Sequence, residues 1–221
     1  MKLLDGVGRL MFPPKCVLCG KLLNKDETDL CHSCRVNQPE YNAKSKRITF
    51  VDSWTAIWYY EGPVRGSILR YKFAGRRSYA QCYGRLLAMK ISQEFPDGFD
   101  TITWVPISAM RKFRRGYDQG QLLAEAVGAE LGVEPVKLLK KVRNNPPQSG
   151  ISGQAERRAN VLSVYRTVNQ QAVAGKRVLL IDDVITTGAT VGEAARILLT
   201  AGAKQVCCGA VAAARRDGKN K

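Results

Sequence analysis

The 221-residue chain is short of acid: 19 Asp and Glu stand against 35 Lys and Arg, which leaves a formal charge of +16. It has no apolar run near the roughly 20 residues that a membrane span requires. The longest such run, Cys207 to Ala214, is rich in small residues and suits a buried strand. The opening MKLLDGVGRL is broken by Asp5, Gly6 and Arg9 before an apolar core develops, which argues against a signal peptide. The chain carries no internal repeat and no GxxxxGK[ST] phosphate loop. These absences point to a soluble protein of the cytoplasm. A hydrophobic content of 45% fills a real core, so the chain is no disordered basic tail. The length fits one medium domain, or one domain with a small appendage. The charge surplus asks for a polyanion, a phosphorylated ligand or both.

Four of the seven cysteines form a pattern. Cys16 and Cys19 are followed, eleven residues on, by Cys31 and Cys34. Each CxxC turns two thiolates toward one cation, and two such turns complete a tetrahedral site. Gly20 follows the first pair, where a left-handed residue is wanted. Two disulfides or a redox pair are the competing readings, and His32 could replace one thiolate. The expectation is a structural Zn²⁺ held by Cys16, Cys19, Cys31 and Cys34 in a module spanning residues 1–40. So short a piece builds no core without the metal. Cys82, Cys207 and Cys208 read instead as small buried hydrophobes.

Residues 41–53 are polar and read as a connector to a domain that runs over 41–221. From Trp54 onward, strands alternate with helices. Strands are expected at 54–60, 101–105, 176–181 and 205–213. Helices are expected at 64–73, 79–95, 119–131 (closed by Gly132) and 190–200. Such alternation implies an α/β fold with a mainly parallel sheet. The polar stretch 143–157 reads as a long functional loop.

The most informative segment is Val178 to Thr190, VLLIDDVITTGAT. A buried strand delivers Asp182 and Asp183 at its carboxyl edge, where open α/β sheets bind ligands. Gly188 and the small residues around it let backbone N–H groups approach an oxyanion. The hydroxyls of Thr186, Thr187 and Thr190, and the start of a helix, add donors and a favourable dipole. The bland alternative is a strand end with two capping acids and a polar turn. Two acids beside a phosphate repel it unless they serve sugar hydroxyls or a divalent ion.

This segment resembles the 5-phosphoribosyl 1-diphosphate (PRPP) motif of type I phosphoribosyltransferases. With the paired CxxC, the VP…RRGYDQ stretch at 105–119 and the QxERRxN stretch at 154–160, the chain resembles the ComF competence-protein family over nearly its full length. The resemblance implies a type I phosphoribosyltransferase-like parallel sheet flanked by helices, behind an N-terminal zinc module. It implies that Asp182 and Asp183 hold the ribose hydroxyls, as the catalytic pair if the chain is an enzyme. It implies that Val184, Thr186, Thr187, Gly188, Ala189 and Thr190 wrap the 5-phosphate. Pro106, Ile107 and Ser108 would face the pyrophosphate, with Mg²⁺, and 143–157 would be the catalytic loop. Asp118 departs from the family, which often has Asn there.

Basic residues crowd three stretches: Arg65 to Arg77, Arg111 to Arg115 and Lys137 to Arg143. They could merely solvate helix faces, while the third stretch, beside the loop, could face the pyrophosphate of PRPP. One polyphosphate does not require so large a surplus, so single-stranded DNA is the expected second ligand, held by Arg70, Lys72, Arg76, Arg77, Arg111, Arg114 and Arg115. Tyr71 and Phe73 interleave with Arg70 and Lys72 and could stack on bases. The resemblance implies a role in DNA uptake or DNA handling, with other competence proteins as partners. The alternative is an active phosphoribosyltransferase that moves phosphoribosyl from PRPP to a nitrogen acceptor.

Overall fold

The computed structural model of the chain describes residues 13–42, 47–142 and 164–215. In chain order its elements are α1 His32–Asn37, β1 Ser53–Tyr59, α2 Gly62–Phe73, α3 Tyr79–Glu94, β2 Thr101–Trp104, α4 Ala109–Arg115, α5 Gln119–Leu131, β3 Leu139–Lys141, β4 Tyr165–Thr167, β5 Arg177–Ile185, α6 Ala189–Thr200 and β6 Gln205–Ala213. The stretch 143–157 and the QxERRxN segment lie outside the described residues.

Four strands form one parallel sheet in the order β1-β6-β5-β2. β6 is apolar except at Gln205, and β5 except at Arg177 and its two acids, as a sheet covered on both faces demands. The pleat sorts their side chains. Leu179 and Ile181 face one cluster, built with α2, α3 and α5, and Val178 and Leu180 face the other, built with α6 and β4. Helices α3 and α5 meet closely at Gly84, where a Cβ would stand 2.5 Å from the Ala126 Cβ.

The expected strands and helices all form, with one difference that matters for function. β5 does not end before the acids. It runs on to Ile185, because Asp182, Val184 and Ile185 stay in register with Ala210, Ala212 and Ala213 of β6. β2, by contrast, leaves β5 after Trp104 pairs Ile181, with the Val105 N–H giving a last bond to the Ile181 carbonyl at 3.0 Å. Beyond that point β5 has a strand on one side only, and the cleft opens on the other.

The expected connector is more than a tether. Tyr41 and Ile48 are buried, and Ile48 packs on the turn before α6. Helix α4 and the antiparallel pair β3–β4 carry no clear sequence period. α4 buries no side chain, and β3 and β4 have three residues each. The outer edges of the sheet are both met by neighbouring chain. Glu40 bridges Trp58, with the Tyr41 N–H donating to the Ile57 carbonyl at 2.9 Å. Pro135 bridges Ile102, with the Val136 N–H donating to the Ile102 carbonyl at 2.8 Å. Among the described residues no helix is long and apolar enough to cross a membrane.

Candidate functional site

The sulfurs of Cys16, Cys19, Cys31 and Cys34 lie within 4.8 Å of one another, with Cys19 and Cys31 at 3.6 Å. A tetrahedron with Zn–S near 2.3 Å has an edge of about 3.8 Å, so the group fits a four-thiolate metal ion. His32 is exposed and outside the group. All four thiols are free of disulfides, as are Cys82, Cys207 and Cys208, which are buried. Gly20 takes the left-handed conformation at φ 79°, and its N–H closes the first turn on the Cys16 carbonyl at 2.9 Å. Burial alone would raise the Cys16 thiol. The N–H groups of Cys19, Cys31 and Leu18 bring it down to about 7.

The cysteine turns are built into the core. Ser67 donates to the Val17 carbonyl at 2.5 Å and Arg70 to the Leu18 carbonyl at 2.6 Å, both from α2. Arg85 of α3 pairs with Asp29 at 2.5 Å. Arg70, expected among the DNA-binding cations, therefore faces the cysteine turns.

The cleft at the carboxyl end of β5 has a volume of about 670 Å³. Its floor holds the two acids, and the pleat divides them. Asp183 faces α2, where Lys72 Nζ lies 2.7 Å from its Oδ1. Asp182 lies on the other face, where its charge acts on Lys141 and Tyr165 of β3 and β4. Burial, and then the neighbouring Asp183, push the Asp182 carboxyl up to about 8. Burial works against the Lys72 charge, yet the attraction of Asp183 holds its pKa above the ordinary value.

Lys72, Arg111, Arg114, Arg115 and Lys141 line the cleft against Asp182 and Asp183, five cations to two acids. Burial lowers the pKa of Arg115, which donates to Gln119 Oε1 at 2.7 Å. Burial and then Arg111 lower that of Lys141. Lys72 is positioned by a brace across its helix end. Tyr71 donates to the Gln119 carbonyl at 2.7 Å, and Tyr117 donates back to the Tyr71 carbonyl. Tyr71 is thus fully buried, and only Phe73 of the two aromatics expected to meet bases reaches the surface.

Of the residues expected at a phosphate, Val184, Thr186, Thr190, Pro106 and Ile107 line the cleft. Thr187, Gly188 and Ala189 form the turn into α6, where Thr187 Oγ1 accepts from the Ala189 N–H at 3.3 Å. Gly188 is demanded twice over. Its φ is 84°, and a Cβ there would meet Ile48 Cγ1 at 2.9 Å. Ser108 caps α4, accepting from the Arg111 N–H at 3.3 Å. Asp118 caps α5 through the N–H groups of Gly120 and Gln121 and also accepts from the Ile107 N–H at 3.2 Å. It thereby fixes the loop after β2, and burial raises its carboxyl pKa. Arg76 and Arg77 are exposed, Arg77 lying over the Tyr117 ring at 4.8 Å. Lys141, from the basic stretch 137–143 that could face a pyrophosphate, lines the cleft. Tyr165 was not expected as a site residue; it enters the cleft from a three-residue strand too short to read.

The phosphoribosyl transferase domain family matches residues 84–221, so the cysteine turns and α2 precede the matched region. Competence protein F of Haemophilus influenzae is 27% identical over 202 residues, 87% of this chain and 82% of that protein. Competence protein ComFC of Bacillus subtilis is 27% identical over 189 residues, 85% of this chain and 72% of that protein. The DNA utilization protein YhgH of Escherichia coli is 28% identical over 203 residues, 86% of each chain. Among solved structures, the glutamine phosphoribosylpyrophosphate amidotransferase of B. subtilis aligns with a TM-score of 0.45 at 25% identity over 64% of this chain. This chain covers 30% of that enzyme's length.

Proposed function

The chain belongs to the phosphoribosyl transferase domain family, in its competence-protein branch, and from that premise we propose a PRPP-binding protein that also binds single-stranded DNA during DNA uptake or handling. The observation that carries the first half is the cleft itself. It joins two acids, divided by the strand pleat, to a wall of five cations and a threonine-rich turn at the start of a helix. Acids suit sugar hydroxyls, and cations beside the start of a helix suit phosphates. In this reading Asp182 and Asp183 hold the ribose, Thr186 to Thr190 hold the 5-phosphate, and Pro106, Ile107 and Ser108 border the pyrophosphate.

Lys72 Nζ, 2.7 Å from Asp183 Oδ1, holds that side chain at the cleft, and Asp182 lies on the opposite face of the strand. A Mg²⁺ ion accompanying the ligand would draw on carboxylate and phosphate oxygens together, with Asp182 and Asp183 as the protein's share, and would neutralise charge between them. The four thiolates hold Zn²⁺, a closed site that stabilises and does not react.

Calorimetric titration with PRPP and Mg²⁺, followed by a single-stranded oligonucleotide, tests both halves. One PRPP site is expected, lost when Asp182 and Asp183 are both changed to Ala while circular dichroism stays unchanged. Affinity for single-stranded DNA is expected to fall as salt rises. Absence of PRPP binding by the native chain would sink the first half, and absence of salt-dependent DNA binding the second. Elemental analysis is expected to return one zinc per chain.

A further inference from the structure

Helix α4 has two faces of different character. Arg111, Arg114 and Arg115 line the cleft. Met110 and Phe113, three residues apart and so on one side of the helix, are 61% and 87% exposed. α4 buries no residue of its own and is held by its caps, Ser108 at the start and left-handed Gly116 at the end. Beside it, the last residue of α2, Phe73, is 68% exposed and also lines the cleft. The Arg115 guanidinium stacks over the Phe73 ring at 4.7 Å.

The two segments that carry these side chains are one-signed. No acid occurs in residues 62–93 or 101–117. Arg76, Arg77, Lys112 and Arg114 are exposed there. Two of the cations expected to meet DNA point elsewhere: Arg70 toward the cysteine turns and Lys72 toward Asp183. An exposed Phe ring has no gain in water, and a ring among arginines offers a base a flat apolar face with cations for the flanking phosphates. A duplex hides its base faces, so such a surface favours single strands. A protein partner of matching acidity would need no ring faces.

We propose that α4 and the end of α2 form a stacking rim for single-stranded nucleic acid beside the cleft, with Phe113 and Phe73 as platforms and Arg76, Arg77 and Arg114 along the phosphates. The rim rests on the single-strand half of the proposed function and supplies its residues and mode. Phe113 stands outside the cleft lining, so the rim and the PRPP pocket separate by mutation.

Fluorescence anisotropy with a labelled oligo-dT, over a series of salt concentrations, tests this. Phe113→Ala is expected to weaken binding by about 5-fold to 150-fold, the equivalent of one stacked base, with no change in salt slope. Arg114→Gln is expected to make the salt slope shallower by about 0.7 for each phosphate that the side chain no longer neutralises. Phe113→Trp is expected to keep the affinity and to lose emission as dT is added. PRPP titration of Phe113→Ala is expected to match the native chain, which shows that the fold is intact. Native dT affinity in Phe113→Ala, or unaltered emission in Phe113→Trp with dT bound, would overturn the rim and leave the DNA reading standing. No dT binding by the native chain would overturn both. Absence of PRPP binding by the native chain would overturn the pocket alone.

Discussion

The cysteine turns and the cleft share helix α2, and they are built on opposite terms. Around the cysteines, side chains from α2 and α3 reach in to satisfy backbone carbonyls and Asp29, and four like ligands close on one small volume. Around the acids, the chain leaves about 670 Å³ open and lines it with an excess of cations. The first region is complete once a metal is present. The second is strained electrostatically until a polyanion arrives. The same helix serves both, because Ser67 and Arg70 turn one way and Lys72 and Phe73 the other.

Breaking the closed region is expected to have the largest effect. Chelation of the metal, or Cys31→Ser, should cost several kcal/mol or more, since structural zinc supplies much of the folding free energy of small modules. Thermal denaturation with and without chelator, and hydrogen exchange over residues 13–42, measure it. Unchanged protection there would show that the turns stand without metal.

Breaking the open region at Lys72 comes next. Lys72→Met leaves the buried Asp183 without its cation, a loss of about 3–5 kcal/mol for a buried pair deprived of one partner. Adding Asp183→Asn should restore most of that stability. Urea denaturation of the two single variants and the double variant checks this, and simple additivity of the single effects would refute the pairing.

A subtler probe is pH. Asp182 titrates near 8 in the folded chain against an ordinary value of 3.8, so the folded state holds the extra proton between those limits. Stability should therefore fall as pH rises through that window, and the full cost should be present above it. Asp182→Asn should flatten that part of the stability profile. A native profile as flat as the variant's would refute the raised value.

The two regions also differ in how far they can be read from sequence. The cysteine site is local: two CxxC turns eleven residues apart contain all its ligands. The acids and the threonine turn of the cleft are equally local, and the sheet and its main helices follow from apolar periodicity. The rest is assembled at long range. Lys72 meets Asp183 across more than a hundred residues, and Lys141 and Tyr165 come from three-residue strands. Arg70 and Lys72 look like surface cations in a basic run, and only packing turns them inward. The extension of β5 past its acids depends on pairing with the alanines of β6, which no local pattern announces.

The bridges at Glu40 and Pro135 have a consequence for behaviour in a crowded solution. Each occupies one backbone position of an outer strand and so interrupts, among the described residues, the edge that strand addition by another copy would use. A chain of +16 will nonetheless gather around polyanions. Such assemblies are then held chiefly by charge, and added salt weakens them.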